Sequence, residues 1–480
     1  MGWSLPDIPA RSEAQPWSPW VCLFILLAGV FIALVQVVLH APAGGLSSLA
    51  SGHWLPLTVK TLTGITVAMT GYLLWWEIQA YSPWRWNSWR RNTQRAWQQQ
   101  AYQHRCVVSH VLLTADAQLV PRLAGVVSED REDTPRFTLP TEDMLVPGIL
   151  RFEQLSRLLI KQIKPALLQR YPAGPLTILL QTSAPDKAPE SACFSRLWSD
   201  GSIPWTTDIQ VLPKDVLPAD DWNQRLSTTQ TPLLVLAMHY RQPEETLPEF
   251  ACALLLMPPA LLKDAEQRDA VRVFRAMPLN TDALVRELTE LRDMAQQPVK
   301  TKHLVWHSGL LPASQQALGR VVNDLPLPLH SDIAAGGVID VDKAIAVYGA
   351  SAGWLMMAVA TEMVRYGPAN HWLLQADNKH ATALVVGNSQ PVVHDENRDL
   401  SFSPPPYPAG SLMLAVLLNA LVFWFAGKHS PEWLFSWSGV VTVLLSLVVT
   451  LPGSVLGLRH VVTALQRPRF IQAAGRARKE

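Results

Sequence analysis

Charge is scarce in this chain and evenly split. Only 16% of the 480 residues are Asp, Glu, Lys or Arg, and 40 basic against 39 acidic side chains leave a formal net charge of +1. A chain so balanced has no global field to gather a polyanion, and nucleic acid is not an expected partner. Cysteine is scarce too: Cys22, Cys106, Cys193 and Cys252 are the only four, with no CxxC pair. That spacing offers neither a disulfide framework nor a structural zinc site. His303 and His307 stand four apart in KHLVWH but lack the glutamate of a zincin motif and fall on a strand pattern, so no metal is expected. Gly336-Gly337 is a lone pair in a turn rather than a phosphate loop, and no cofactor is implied.

What the chain has in quantity is apolar length. The runs 20–40, 55–76, 410–427 and 433–456 each approach the ~20 residues a helix needs to cross a bilayer core. Lys60 is near one end of its run, where the ammonium can snorkel to the headgroups. Beyond Lys60 the runs show no polar pathway, which counts against a transporter. Only Arg11 precedes the first run and a second follows closely, so the reading is an anchor and not a cleaved signal peptide.

The loop 40–53 has no Lys or Arg, whereas Arg85, Arg90, Arg91, Arg95 and Arg105 follow the second run. Arg459, Arg467, Arg469, Arg476, Arg478 and Lys479 follow the fourth. The positive-inside rule then places both termini and the central segment in the cytoplasm. Trp84, Trp86, Trp89 and Trp97 alternate with the first basic cluster. Beside a span this pattern reads as an interfacial belt touching anionic headgroups, in preference to a stacking platform for single-stranded nucleic acid. The expected organisation is a transmembrane hairpin (1–76), a basic-aromatic juxtamembrane segment (77–104), a cytoplasmic domain (105–408), a second transmembrane hairpin (409–457) and a basic tail (458–480).

Within the central domain, strands are expected at 106–113, 176–182, 232–240, 251–257, 302–307, 371–375 and 381–386 from their apolar, β-branched runs. Helices are expected from Thr141, capped there with Glu142 and Asp143 in the first turn, and at 281–296 and 314–322. The first carries the stripe Phe152, Leu155, Leu159, Ile163 and Leu167. Segment 183–230 is polar and carries no readable period. Continuous apolar strands alternating with helices imply α/β layers. The organisation repeats: each half closes on a similar strand, ALLLM and then ALVV, and the halves meet near 264–280.

The stretch 338–386 concentrates the functional question. Gly349-Ala350-Ser351-Ala352-Gly353 has the form of a nucleophile elbow between a strand (344–347) and a helix (351–364), which would make the chain a membrane-tethered serine esterase using Ser351. The acids and imidazoles that follow are Asp377 with His380 and Asp395 with His394, neither in the order and with the room a triad needs. Ala334-Ala335-Gly336-Gly337 is a weak oxyanion sequence. The plainer reading makes the small residues a tight entrance to a buried helix, with Leu355, Met356, Met357, Val359 and Met363 covering several of its faces. Asp340 and Asp342 are expected to share one strand face.

The duplicated organisation, with HATALVV after a buried Ala-rich helix, resembles the thiolase fold of β-ketoacyl synthases, built from two βαβαβαββ halves in five layers. The resemblance covers roughly 105–387. His307-Ser308-Gly309 resembles the motif carrying one synthase histidine, and 343–353 resembles the lysine, histidine and GAAG run. Where the resemblance requires the second histidine, Val347 or Tyr348 stands instead. The nucleophilic cysteine belongs within 211–227, where there is none. The resemblance therefore implies a non-catalytic, degenerate thiolase-like domain inserted between two helical hairpins. It is similar to accessory and effector-adaptor proteins of bacterial type VI secretion. Such a protein would be multi-pass in the inner membrane, its partner a secretion-system protein or an effector. Dimerisation through a sheet edge is a further implication, opposed by tethering to four spans.

Overall fold

The computed structural model describes residues 3, 8–39, 51–127, 137–139, 149–183, 188–201, 205–213, 215–228, 230–241, 245–331, 333, 335–389 and 404–477. Two compact units emerge, one of Met1–Leu5 with Arg95–Asp395 and the other of Pro6–Gln94 with Glu396–Glu480. The expected helix start at Thr141, with Glu142 and Asp143, lies outside the described residues, as do His394, Asp395, Ala334 and most of the loop 40–53.

The second unit opens with an extended segment, 8–18, and then helix α1 (Pro19–Leu39), none of whose residues is buried. Helix α2 (Ser51–Ala101) is 51 residues long and does not stop at the end of its apolar run. Arg and Gln are good helix formers, so the backbone has no reason to end where hydrophobicity ends.

The α/β unit begins with strand β1 (His104–Thr114), α3 (Leu119–Leu123), α4 (Ile149–Arg170), β2 (Gly174–Thr182), α5 (Ala188–Asp200), β3 (Trp205–Val211), α6 (Ala219–Thr228), β4 (Leu233–His239) and β5 (Phe250–Met257). Its second half continues with α7 (Asp264–Asp269), β6 (Val271–Phe274), β7 (Met277–Pro278), α8 (Leu284–Asp293), β8 (Leu304–Ser308), α9 (Pro312–Asp324) and β9 (Val338–Asp340). It ends with α10 (Val341–Ala344), α11 (Ala352–Met363), β10 (Asn370–Ala376) and β11 (Ala381–Gly387).

One sheet runs β3-β2-β4-β5-β1-β6-β11-β10-β8-β9, with β7 beside β11. Within the first half β2 is parallel to β3 and β4, while β5 is antiparallel to β4 and β1. In the second, β8 is parallel to β9 and β10, while β11 is antiparallel to β10 and β6. Each half therefore has the order third, second, fourth, fifth, first, with the fifth strand reversed. Antiparallel pairing of the two first strands, His104↔Phe274 to Val107↔Val271, joins them. The similar ALLLM and ALVV runs occupy the equivalent fifth strands.

Every residue of β4 and β5 is buried, because helices cover both faces. One core places α4 and α5 on the first half-sheet through Phe152, Leu159, Phe194 and Leu236. Another places α8 and α9 on the second through Leu288, Leu318 and Leu374. Between them Trp222 of α6 and residues 354–360 of α11 pack with Val235 and Leu254 of one half and Trp306 and Leu373 of the other. Five layers result. All of α11 except Gly353 and Glu362 is buried, as a helix apolar on every side requires.

Three local expectations are corrected. No strand forms over 344–347, because Asp340 ends β9 and its carboxylate accepts the Lys343 amide at 3.4 Å, turning the chain into α10. Asp340 and Asp342 consequently share no strand face. The helix expected over 281–296 is shorter: 281–283 form a 3-10 turn capped by the Asn280 side chain, and α8 runs only from Leu284 to Asp293.

The second unit closes with α12 (Ala409–His429), a short helical turn at Pro431–Leu434, and α13 (Trp437–Ala477). Among the described residues four helices, α1 and α2 included, are long and apolar enough to cross a membrane. Their interior is more polar than the sequence reading held. Buried Asn419, midway along α12, donates to Thr450 Oγ1 at 2.6 Å and accepts from Ser446 Oγ at 2.6 Å. One end carries buried Glu77, accepting from the Ser411 amide at 2.8 Å and hydroxyl at 3.0 Å. These groups bond to other helices, as polar groups of a span must, because an unsatisfied one in hydrocarbon costs several kcal/mol.

Candidate functional site at the strand ends

Parallel strands of an α/β sheet present their carboxyl ends to ligands. In the first half those ends are Gln181-Thr182, Val211 and His239. In the second they are His307-Ser308, Asp340 and Gln375-Ala376. His307 and Asp340 fall here and Val347, Tyr348 and Ser351 on the stretch leading into α11, whereas His303 precedes β8 and Asp377 and His380 lie between β10 and β11.

His307 is buried at the end of β8, with Nδ1 3.9 Å from Asp340 Oδ1, too far for a hydrogen bond. Burial lowers its pKa, while Asp340 and Asp342 pull the other way and Lys343 lowers it further. Asp342 turns instead to the Ser308 hydroxyl and the Gly309 amide, both at 2.7 Å. Val347 is 61% exposed and carries no polar group. Tyr348 reaches into the first half: its hydroxyl donates to the Pro248 carbonyl at 2.9 Å, and its ring meets Phe250 at 4.8 Å and His239 at 5.3 Å. Burial, then Glu245, raises its pKa. Among the described residues no side-chain hydrogen bond or ion pair joins His307, Tyr348 and Ser351; the one link is the turn bond from Ser351 N to the Tyr348 carbonyl at 3.3 Å.

Ser351 belongs to a 3-10 turn (Gly349–Ser351) leading directly into α11. It is buried, and its φ of −73° and ψ of −18° are ordinary helical values. A nucleophile elbow needs a strand before the turn and a strained, exposed serine; the chain has neither there. Asp377 is committed elsewhere, accepting the amides of Val216, Lys379 and His380 at 2.6, 2.7 and 2.6 Å. Burial raises its pKa, but those backbone donors outweigh it and the net shift is downward.

Gln375 organises the turn and has no signal in the sequence. Beside Ser308 in the sheet register, it donates through Nε2 to the Gly349 and Ala350 carbonyls, both at 3.0 Å. A Cβ on Gly353 would collide with its amide, which explains the second glycine of the motif without chemistry. His239 was also missed; its ring is 3.4 Å from Glu245, and burial lowers its pKa against the pull of Glu245 and Glu249.

Between α6 and α11 remains a cavity of ≈ 50 Å³, lined among others by Gln181, Leu217, Trp222, Gly353, Trp354 and Gln375. Small-molecule sites measure about 300–1,000 Å³. Trp222 and Trp354 fill the space, edge to face with centroids 6.1 Å apart, and Trp222 Nε1 donates to the Phe274 carbonyl at 3.1 Å. The thiols do not approach it as nucleophiles. Cys252 is fully buried in β5, its Sγ 3.9 Å from the Trp354 carbonyl oxygen, and burial pushes its pKa up to about 12.

No family profile and no curated protein matches the chain. Solved structures similar to it include the AntDE:AntF complex, a type II PKS acyl-carrier protein with its ketosynthase (9% identity, 59% of this chain and 99% of that one, TM-score 0.40). A further match is PksG, an HMG-CoA synthase from Bacillus subtilis (9% identity, 62% and 83%, TM-score 0.35). A third is 3-oxoacyl-[acyl-carrier-protein] synthase III from Aquifex aeolicus (10% identity, 59% and 99%, TM-score 0.32).

Proposed function

We propose that this chain is a membrane-anchored, degenerate thiolase-like protein that performs no Claisen condensation. On this reading it serves as a protein-binding accessory or effector adaptor in a bacterial inner membrane, beside a type VI secretion apparatus. The packing of Trp222 against Trp354 carries the reading, because an acyl thioester would need the space those indoles fill. Two features support it. Neither α6 nor the described residues before it, back to β3, contain a cysteine, and condensation needs a thiolate to hold the acyl group. Val347 and Tyr348 provide no imidazole for the thioester oxyanion. The basic clusters after the second and fourth spans favour a cytoplasmic α/β unit.

Full-length protein in detergent tests both parts. It should form no covalent acyl adduct from acyl and malonyl thioesters, and a fluorophosphonate probe should label wild type and Ser351→Ala equally. Labelling that disappears in Ser351→Ala would establish the esterase alternative. Affinity purification from cells expressing the neighbouring genes should recover a secretion component; recovery of none would overturn the adaptor role.

A further inference from the structure

The arginines after the second span have a geometry that headgroup contact does not explain. The extended segment 8–18 marks where the bilayer boundary falls. Ser18 N donates to Tyr72 Oη and Trp76 Nε1 to the Gln15 carbonyl, both at 2.9 Å, so α1 begins level with 72–76. Trp17, Trp20 and Trp75 are exposed at that level, as an interfacial belt would be. Beyond it α2 continues to Ala101, roughly 37 Å at 1.5 Å per residue.

Helix α13 accompanies it. Gln466 donates to Ser82, Arg459 lies over the Tyr81 ring at 5.3 Å, and Phe470 meets Trp86 at 5.2 Å and Trp89 at 5.4 Å. The extended segment is bound along this pair. Trp86 Nε1 donates to the Pro9 carbonyl at 3.1 Å, and Arg11 and Asn87 exchange hydrogen bonds at 2.9 and 2.8 Å. The result is a built stalk.

Its two helices carry charge of one sign, and the bound segment adds Arg11 and one carboxylate, Glu13. Neither 78–103 nor 457–477 contains an Asp or Glu, while Arg90, Arg91, Arg95, Arg467 and Arg469 lie there. Among the described residues no ion pair engages any of these five. Arg11 stacks on Trp86 at 3.7 Å, and burial and then nearby Arg469 lower its pKa, a sign of like charges held together. Val461, Leu465 and Ile471 stand among these groups at 54%, 67% and 60% exposure.

Lipid headgroups do not reach this far. Arg90 and Arg91 sit roughly 20 Å past Trp76 along α2 and Arg95 almost 30 Å. The interfacial zone is about 5–7 Å deep and the Debye length about 8 Å. Even a tilt of about 40° shortens the climb by only a quarter. A second copy of the stalk would bring the same charge, and a phosphodiester backbone has no use for three exposed aliphatic side chains.

We propose that the stalk is the docking face for an acidic amphipathic helix of a partner protein. Its carboxylates would pair with Arg90, Arg91, Arg467 and Arg469, and its apolar stripe would seat on Val461, Leu465 and Ile471. The inference rests on reading the four long helices as membrane spans.

The test uses full-length protein in zwitterionic nanodiscs and two labelled peptides of equal composition. One is a Glu-rich helix with a leucine stripe; in the other the stripe is scrambled. The striped peptide should bind at least tenfold tighter. The variant Arg90→Gln/Arg91→Gln/Arg467→Gln/Arg469→Gln should lose at least tenfold, and Leu465→Ser should lose the preference for the stripe. Equal binding of both peptides, binding unchanged in the arginine variant, or a photo-crosslinker at Leu465 that captures only lipid in anionic nanodiscs would each overturn the proposal. Impermeant maleimide should label Arg467→Cys and Gly319→Cys from the same side of a vesicle. Labelling from opposite sides would overturn the spanning reading itself.

Discussion

Gly353 and Gln375 occupy one space: the glycine has no side chain where the glutamine amide crosses to bond the Gly349 and Ala350 carbonyls. Gly353→Ala forces that amide away and should cost about 1–3 kcal/mol, as overpacking does. Gln375→Ala removes the obstruction, so the double substitution should be less damaging than the sum of the two. Denaturant unfolding of the four proteins gives the coupling, and strict additivity would contradict the shared space.

Acid should unfold the α/β unit through buried imidazoles. Burial lowers the pKa of His303 to about 4 and of His371 to about 3, and His371 Nδ1 accepts from Trp306 Nε1 at 3.1 Å, a bond that needs the neutral ring. The folded pKa values lie below the ordinary 6.5, so the unfolded chain binds more protons in acid. Stability is then full above pH 6.5 and falls as pH drops towards 4, by about 3 kcal/mol for His303 alone. Unfolding free energies measured from pH 7 to pH 4 check the slope, which should shrink in His303→Gln.

The polar contacts of the second unit should hold its second hairpin together. Asn419→Leu removes one bond to Thr450 and one from Ser446. Buried hydrogen bonds between helices in bilayers contribute about 0.6–2 kcal/mol, so the α12–α13 pair should loosen by about 1–2 kcal/mol. Disulfide trapping between cysteines placed on the two helices would report the change. An unaltered equilibrium would mean that packing of the small residues suffices.

The regular parts of the fold were legible because burial writes itself as apolar runs. The expected strands 106–113, 176–182, 232–240 and 251–257 correspond to β1, β2, β4 and β5, and the Phe152 to Leu167 stripe is the buried face of α4. Segment 183–230 hid α5, β3 and α6. β3 is an edge strand in which Trp205 alone is buried, so its sequence, WTTDIQV, has little reason to show a period. At the site, sequence located His307, Tyr348 and Ser351 but not what they touch. Gln375 reaches the motif through the register of β8 and β10, and Asp342 reaches Ser308 because Asp340 bends the chain. Contacts made across a sheet leave no spacing to count.

The buried thiols have a practical consequence. Cys106, Cys193 and Cys252 are all buried, and desolvation holds each thiol above its usual pKa. The reactive species towards maleimides and disulfides is the thiolate, so the α/β unit is chemically silent to such reagents at neutral pH. With Cys22, the one cysteine that is not buried, replaced, a single cysteine introduced on the stalk or beside the Gly349 turn would therefore report its own surroundings, with no need to remove the three that complete the core.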